Sequence, residues 1–158
     1  MKLFQIVFFA AFLLPVDGSA QDVLRSHQIN SLKGLESVAI VFTASDESQA
    51  LSNIRDLGDS IEVMLAKDAP RLKIAEDPGN GVPWLRVSYN VRQQGGGVFT
   101  LTLYRWVKLN SADLFAPVWT SYQGWFGAST SGTSQVVRET LQTLLTRFAA
   151  DYIRANPN

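Results

Sequence analysis

The hydrophobic positions of this chain change period several times, and each change marks an element. Glu36–Thr43 (ESVAIVFT) is a short apolar, β-branched run, too short for a typical helix, and predicts a buried strand. From Asp46 to about Lys67 the period lengthens to that of a helix. Asp46 can cap the first turn, with Gln49 as its capping-box partner. Leu51, Ile54, Leu57, Ile61 and Met64 or Leu65 form one apolar stripe. Gly58 interrupts that helix at a cost of about 1 kcal/mol relative to alanine, which suggests close packing against a strand. Pro70 ends the segment, Arg71–Ala75 allows a short strand, and Asp77–Gly81 is a turn cluster.

Alternation of period two follows. Trp84–Arg92 places Leu85, Val87, Tyr89 and Val91 on one face. Gln93–Gly97 reads as a hairpin loop. Val98–Leu109 then places Phe99, Leu101, Leu103, Val107 and Leu109 on one face, and Thr100, Thr102, Tyr104, Trp106 and Lys108 on the other. Asn110–Ala116 reads as a connector to a last strand, Pro117–Phe126, so the three runs predict an antiparallel meander. After a small polar loop, Gly127–Ser134, a second helix is expected over about Ser134–Ala155. Thr133 or Ser134 caps it, and Val137, Leu141, Leu144, Phe148 and Tyr152 form its buried stripe. The order of elements predicts an α+β fold: a two-layer sandwich with a mixed sheet of about five strands and two helices packed on one face. The other sheet face is left open.

The N-terminus has a different pattern. Lys2, the apolar run Leu3–Leu14, the breakers Pro15, Asp17 and Gly18, and small residues up to Ala20 match a secretory signal peptide over residues 1–20. Cleavage is expected between Ala20 and Gln21, giving a periplasmic or secreted protein. The alternative, an uncleaved anchor, needs about 20 apolar residues, and the run is shorter. Residues 21–34 read as a polar lead, loose or shortly helical, and 35–158 as a single domain.

Composition narrows the chemistry. There is no cysteine, which excludes disulfides, thiolate metal sites, a cysteine nucleophile and a lipid-modified N-terminal cysteine. Lys and Arg number 14, as do Asp and Glu, so the formal net charge is zero. Nucleic-acid binders draw affinity from a basic surplus that this chain lacks. The same balance disfavours anionic membranes and eases self-association.

By parity the open sheet face carries Trp84, Arg86, Tyr104 and Trp106, with Trp119 or Trp125 expected to join them from the last strand. Exposed aromatic rings beside an arginine suit a protein partner, a sugar ring or a second copy of the chain. The competing reading is that the rings cover one another, or lie under the N-terminal lead, and serve the sheet alone. Arg105 has inward parity; it either holds an acidic ligand or snorkels to a strand end or a carboxylate. His27 is the only histidine and is read as exposed, which argues against a transition-metal site and a histidine-dependent hydrolase. Glu47, Glu62, Glu76, Asp77 and Asp113 are scattered, with no sign of a convergent pair. The glycines of Gln93–Gly97 lack the lysine of a phosphate loop, and Ala128–Thr133 is read as a capping loop.

Phe148-x-x-Asp151-Tyr152-x-x-x-Asn156-Pro157 in the last helix, with Tyr104-Arg105-x-Val107-x-Leu109 and Val118-Trp119-Thr120 upstream, resembles a group of small, secreted, uncharacterised bacterial proteins over residues 32–157. The layout also resembles small α+β domains of envelope proteins, such as the N-terminal domain of the Tol system's propeller protein, on architecture alone. Neither resemblance implies catalytic residues. Tyr152 is expected in the buried stripe, and Asp151 is expected to pair with Arg147 or Arg154.

These observations lead to an expected envelope accessory or protein-interaction domain, non-enzymatic, without cofactor or metal. Its partner is expected to be an envelope protein or a second copy, with no nucleic acid and no stable membrane insertion after cleavage. A glycan or small-molecule binder using the aromatic face, and a carboxylate-dependent hydrolase, are the alternatives.

Overall fold

The computed structural model describes residues 18–44, 54–79, 81–92, 96–126 and 133–157. Its elements are α1 (Gly18–Asn30), β1 (Ser37–Ala44), α2 (Ile54–Asp68), β2 (Lys73–Ala75), β3 (Trp84–Arg92), β4 (Gly96–Leu109), β5 (Ala112–Phe126) and α3 (Thr133–Ala155). The strands form one mixed sheet in the order β2-β1-β3-β4-β5. β1 runs parallel to both β2 and β3, and β3, β4 and β5 form the antiparallel meander. Parallel neighbours need a long crossover, and α2 lies within the connection that joins β1 to β2.

The core lies between the sheet and α2 and α3. Val38, Leu85, Val87, Tyr89, Phe99, Leu101, Leu103 and Trp119 face Leu57, Ile61 and Leu65 of α2 and Val137, Leu141, Leu144, Phe148 and Tyr152 of α3. The α3 stripe and the described part of the α2 stripe, Leu57, Ile61 and Leu65, therefore bury as their spacing predicts, while the side chain of Ile54 lies outside the described residues. Asp46, Gln49 and Leu51 lie outside the described residues, as do the loop positions 127–132.

Three local readings need correction. Nothing lies within 4 Å of the place a Cβ would take at Gly58, so no strand approaches it closely. Asn110–Ala116 is not a connector. β4 and β5 stay paired to Leu109↔Ala112, closed by Asn110 and Ser111 alone, with Asn110 at a φ of 56°. Asparagine enters that left-handed region more readily than most residues. Pro117 hid the extension, yet β5 is an edge strand, where a missing N–H is tolerated. Gly96 and Gly97, expected in the loop, are instead paired with Arg92 and Val91.

Of the two readings of the N-terminal lead, loose or shortly helical, the helical one holds over residues 21–30, and this helix packs against α3 and β5. Helix α1 is described from Gly18 onward, so the expected cleavage position between Ala20 and Gln21 lies within the helical span. The turn after it is tied to the end of α3 by one side chain. Asn156 Oδ1 accepts from the Gly34 N–H at 2.9 Å, and Asn156 Nδ2 donates to the Leu32 carbonyl at 3.0 Å. Arg71 adds a hydrogen bond to the Asn156 carbonyl.

Gly58→Ala is expected to stabilise the protein by about 0.5–1 kcal/mol, because the helix gains propensity and no neighbour is met. Urea unfolding measures this, and a destabilised variant would contradict the open environment.

Candidate functional site

The open sheet face is ordered in rows by the strand register. One row is Ala39–Trp84–Tyr104–Pro117; the next is Val41–Arg86–Thr102–Thr120; the next is Thr43–Ser88–Thr100–Tyr122. The middle rows are mostly hydroxyl-bearing. Thr43 Oγ1 and Ser88 Oγ are 3.0 Å apart, as are Thr102 Oγ1 and Thr120 Oγ1. Each pair joins neighbouring strands across the ladder.

Aromatic rings gather at one end of the face. β3 begins at Trp84, opposite Tyr104, so β4 beyond that point pairs with β5 alone. The result is a two-stranded ribbon, an arrangement of marginal stability in water. Phe115, opposite Trp106 in this ribbon, is the hub of the cluster. Its ring centroid is 4.9 Å from Trp84 in an edge contact, 5.4 Å from Trp106 and 5.9 Å from Tyr104. Arg105 anchors the ribbon from the other side, donating to the Ser31 carbonyl at 2.8 Å and the Lys33 carbonyl at 3.3 Å. It binds the turn after α1, which is the structural role and not an acidic-ligand site.

The register thus places Trp84, Arg86, Tyr104 and Trp106 on one face, as their parity predicts, and two further residues share that face. Phe115 was concealed in the supposed connector. Tyr122, 73 % exposed, lies on the same face. Trp106 is 52 % exposed, while Trp84, Tyr104 and Phe115 are partly buried. Helix α1 packs on α3 and β5.

Trp119 does not join this group. Tyr104 pairs with Pro117 but Leu103 pairs with Trp119, leaving Val118 as an extra residue. Such a bulge shifts the register by one, and a one-residue shift moves every later side chain to the opposite face. Trp119 is therefore 2 % exposed in the core, edge-on to Phe148 at 5.2 Å. Its Nε1 donates to Asp151 Oδ2 at 3.2 Å. Asp151, buried in α3, also meets Arg25 at 3.4 Å and Arg154 at 3.5 Å through Oδ1. Of the two expected partners Arg154 is the one it meets; Arg147 donates to Ser121 Oγ at 2.8 Å instead. Trp125 pairs with Gly97 in the ladder, and its side chain lies outside the described residues.

Two hollows flank the Trp84–Phe115 contact. One, of about 210 Å³, is lined by Val41, Thr43, Trp84, Arg86, Tyr104 and Phe115. The other, of about 150 Å³, runs under Trp106 to Pro78 and Val82. A third depression of about 400 Å³ separates α1 from the edge of β5, with exposed His27 and Leu24 on its rim. Among the described residues, no three His, Asp or Glu side chains gather in a metal-binding group. Glu62, Glu76, Asp77 and Asp113 are exposed, and Glu47 lies outside the described residues. No described helix is long and apolar enough to cross a membrane.

No protein-family model matches the chain, and no curated protein matches it significantly. Solved structures do align with it. An uncharacterized protein shares a TM-score of 0.46 at 11 % identity, covering 75 % of this chain and 93 % of that one. A minor lipoprotein from Acinetobacter baumannii gives 0.35 at 15 % identity, covering 77 % and 90 %. The rare lipoprotein B from Shewanella oneidensis gives 0.30 at 14 %, covering 74 % and 92 %. This is a weak structural likeness to bacterial lipoproteins and to a protein without assigned role, at scores too low to argue from. The motif-defined group suggested by the last helix is not among these findings.

Two packing predictions follow from the geometry. Phe115→Ala is expected to cost about 2 kcal/mol, below the ~3–5 of a fully buried ring, and Trp106→Ala less than about 1 kcal/mol. Trp119→Phe, which leaves the buried Asp151 without its indole donor, is expected to cost about 1–3 kcal/mol. Urea unfolding of the three variants checks the ranking, and a Phe115→Ala protein no weaker than Trp106→Ala would contradict the hub.

Proposed function

We propose that this chain is a non-enzymatic protein-interaction domain of the bacterial envelope, working in the periplasm or outside the cell after cleavage between Ala20 and Gln21. It docks its partner on the open sheet face. The observation that carries this reading is Trp106, a large ring more than half exposed beside Trp84, Phe115 and Tyr104 on the face opposite the one that α2 and α3 cover. Aromatic residues with a nearby arginine are the side chains that most often dominate binding energy at protein interfaces. The N-terminal pattern supports export, and the balanced charge supports protein over nucleic acid as partner. The hollows of about 210 and 150 Å³ are smaller than the ~300–1,000 Å³ typical of enclosed ligand pockets, which favours docking of side chains over a glycan or small molecule.

In-cell photocrosslinking tests the reading. A photoreactive residue replacing Tyr122 is expected to give one discrete protein adduct, lost in the Trp106→Ala background. The same probe at Val63, exposed on α2 in the opposite layer, is expected to give none. An adduct of the chain with itself identifies the face as a homodimer interface. Equal adducts from both positions, or none from Tyr122 in an exported and folded protein, overturn the proposal.

A further inference from the structure

The geometry points to an acidic side chain of the partner protein, an aspartate or glutamate next to an apolar residue, as the group that enters the hollow between Arg86, Trp84 and Tyr104. This rests on the reading of the open face as a protein-docking surface and names the chemistry it selects.

Arg86 stands in the middle of the face, with Val41 and Thr102 as its register partners on either side. Its side chain is exposed, and its hydrogen bond among the described residues is a long one, Nε to Thr43 Oγ1 at 3.4 Å. Among the described residues no carboxylate lies within ion-pair distance of it; the two ion pairs found there both belong to Asp151. The centre of the face therefore carries a positive charge that no carboxylate among the described residues pairs.

The surroundings select the kind of anion. A guanidinium presents parallel N–H donors that match the two oxygens of a carboxylate. On one side of Arg86 the wall is Trp84, Tyr104 and Phe115; on the other it is Val41 and the Thr43 hydroxyl. Apolar walls lower the local dielectric and strengthen a charge-assisted hydrogen bond. They also suit the methylenes of the acid and an adjoining apolar side chain. The hollow, about 210 Å³, matches a side chain better than a larger ligand.

The test uses the full exported chain, isotopically labelled, titrated with four probes and followed by amide NMR. The probes are N-acetyl-Phe-Glu-amide, N-acetyl-Phe-Gln-amide, glucuronate and inorganic phosphate. The glutamate peptide is expected to move the signals of Thr43, Trp84, Arg86 and Tyr104, with at least about tenfold higher affinity than the glutamine peptide. Arg86→Gln is expected to reduce it to the level of the glutamine peptide without altering the fold, since the side chain is exposed. Arg86→Lys, which keeps the charge and loses the fork, is expected to fall between. Equal binding of the two peptides, no effect of Arg86→Gln, or no shift with any probe overturns the assignment. So does tighter binding of phosphate or glucuronate than of the glutamate peptide. If this titration fails while the Tyr122 crosslink persists, the face docks a partner by another chemistry; if both fail, the docking reading itself falls.

Discussion

Val118 occupies a place in β5 that has no partner in β4, and much of the rest of the structure depends on that extra residue. Upstream of it, Phe115 and Pro117 share the open face with Trp106 and Tyr104. Downstream, the shift turns Trp119 into the core, where its ring meets Phe148 and its N–H meets Asp151. Without the bulge, Trp119 would oppose Thr102 on the open face and Asp151 would lose its buried donor. The Ser31 hydroxyl donates to the carbonyl of this same Val118 at 3.0 Å. One local irregularity thus fixes the aromatic cluster, the polar contact inside the core and the attachment of the N-terminal segment.

That attachment joins parts of the chain distant in sequence. Asp151 holds Trp119 of the edge strand and Arg25 of α1 at once, while Asn156 takes the backbone of Leu32 and Gly34. Arg105 reaches the same turn from the ribbon. A buried carboxylate is costly unless donors surround it, and here an indole N–H and two guanidinium groups do so. The last turn of α3 is therefore a meeting point for α1, β5 and the turn before β1. The residues behind the resemblance seen in sequence, Asp151, Tyr152 and Asn156, have structural work at this place.

Periodic features were legible from the residues: the stripes of α2 and α3 and the alternation of β3 and β4. Each follows from repeating a single choice, which burial enforces over many positions. What was illegible depends on single residues. Pro117 looks like a strand break until its position on the sheet edge is known, so Phe115 was hidden. The bulge at Val118 has no sequence mark, so Trp119 was assigned to the wrong face. Gly58 suggested a close contact, yet a glycine can also stand where nothing approaches. Helix α1 has a weak apolar stripe and owes its place to α3 and β5, a tertiary cause that local pattern does not display.

The aromatic cluster invites the simpler explanation that it only stabilises the ribbon, and its geometry divides that role. Phe115 is partly buried by Trp84, Tyr104 and Trp106, and it links the ribbon to the first residue of β3. This supplies apolar cover that a two-stranded ribbon otherwise lacks. Trp106 covers one side of Phe115 and leaves more than half of its own surface in water. A smaller residue would cover the hub with less exposed apolar area. Arg86 has no ion pair among the described residues. The stabilising function ends with the rings that touch Phe115; the exposed surface of Trp106, and the charge of Arg86 that no described carboxylate pairs, exceed what the ribbon requires and are what the proposed docking would use.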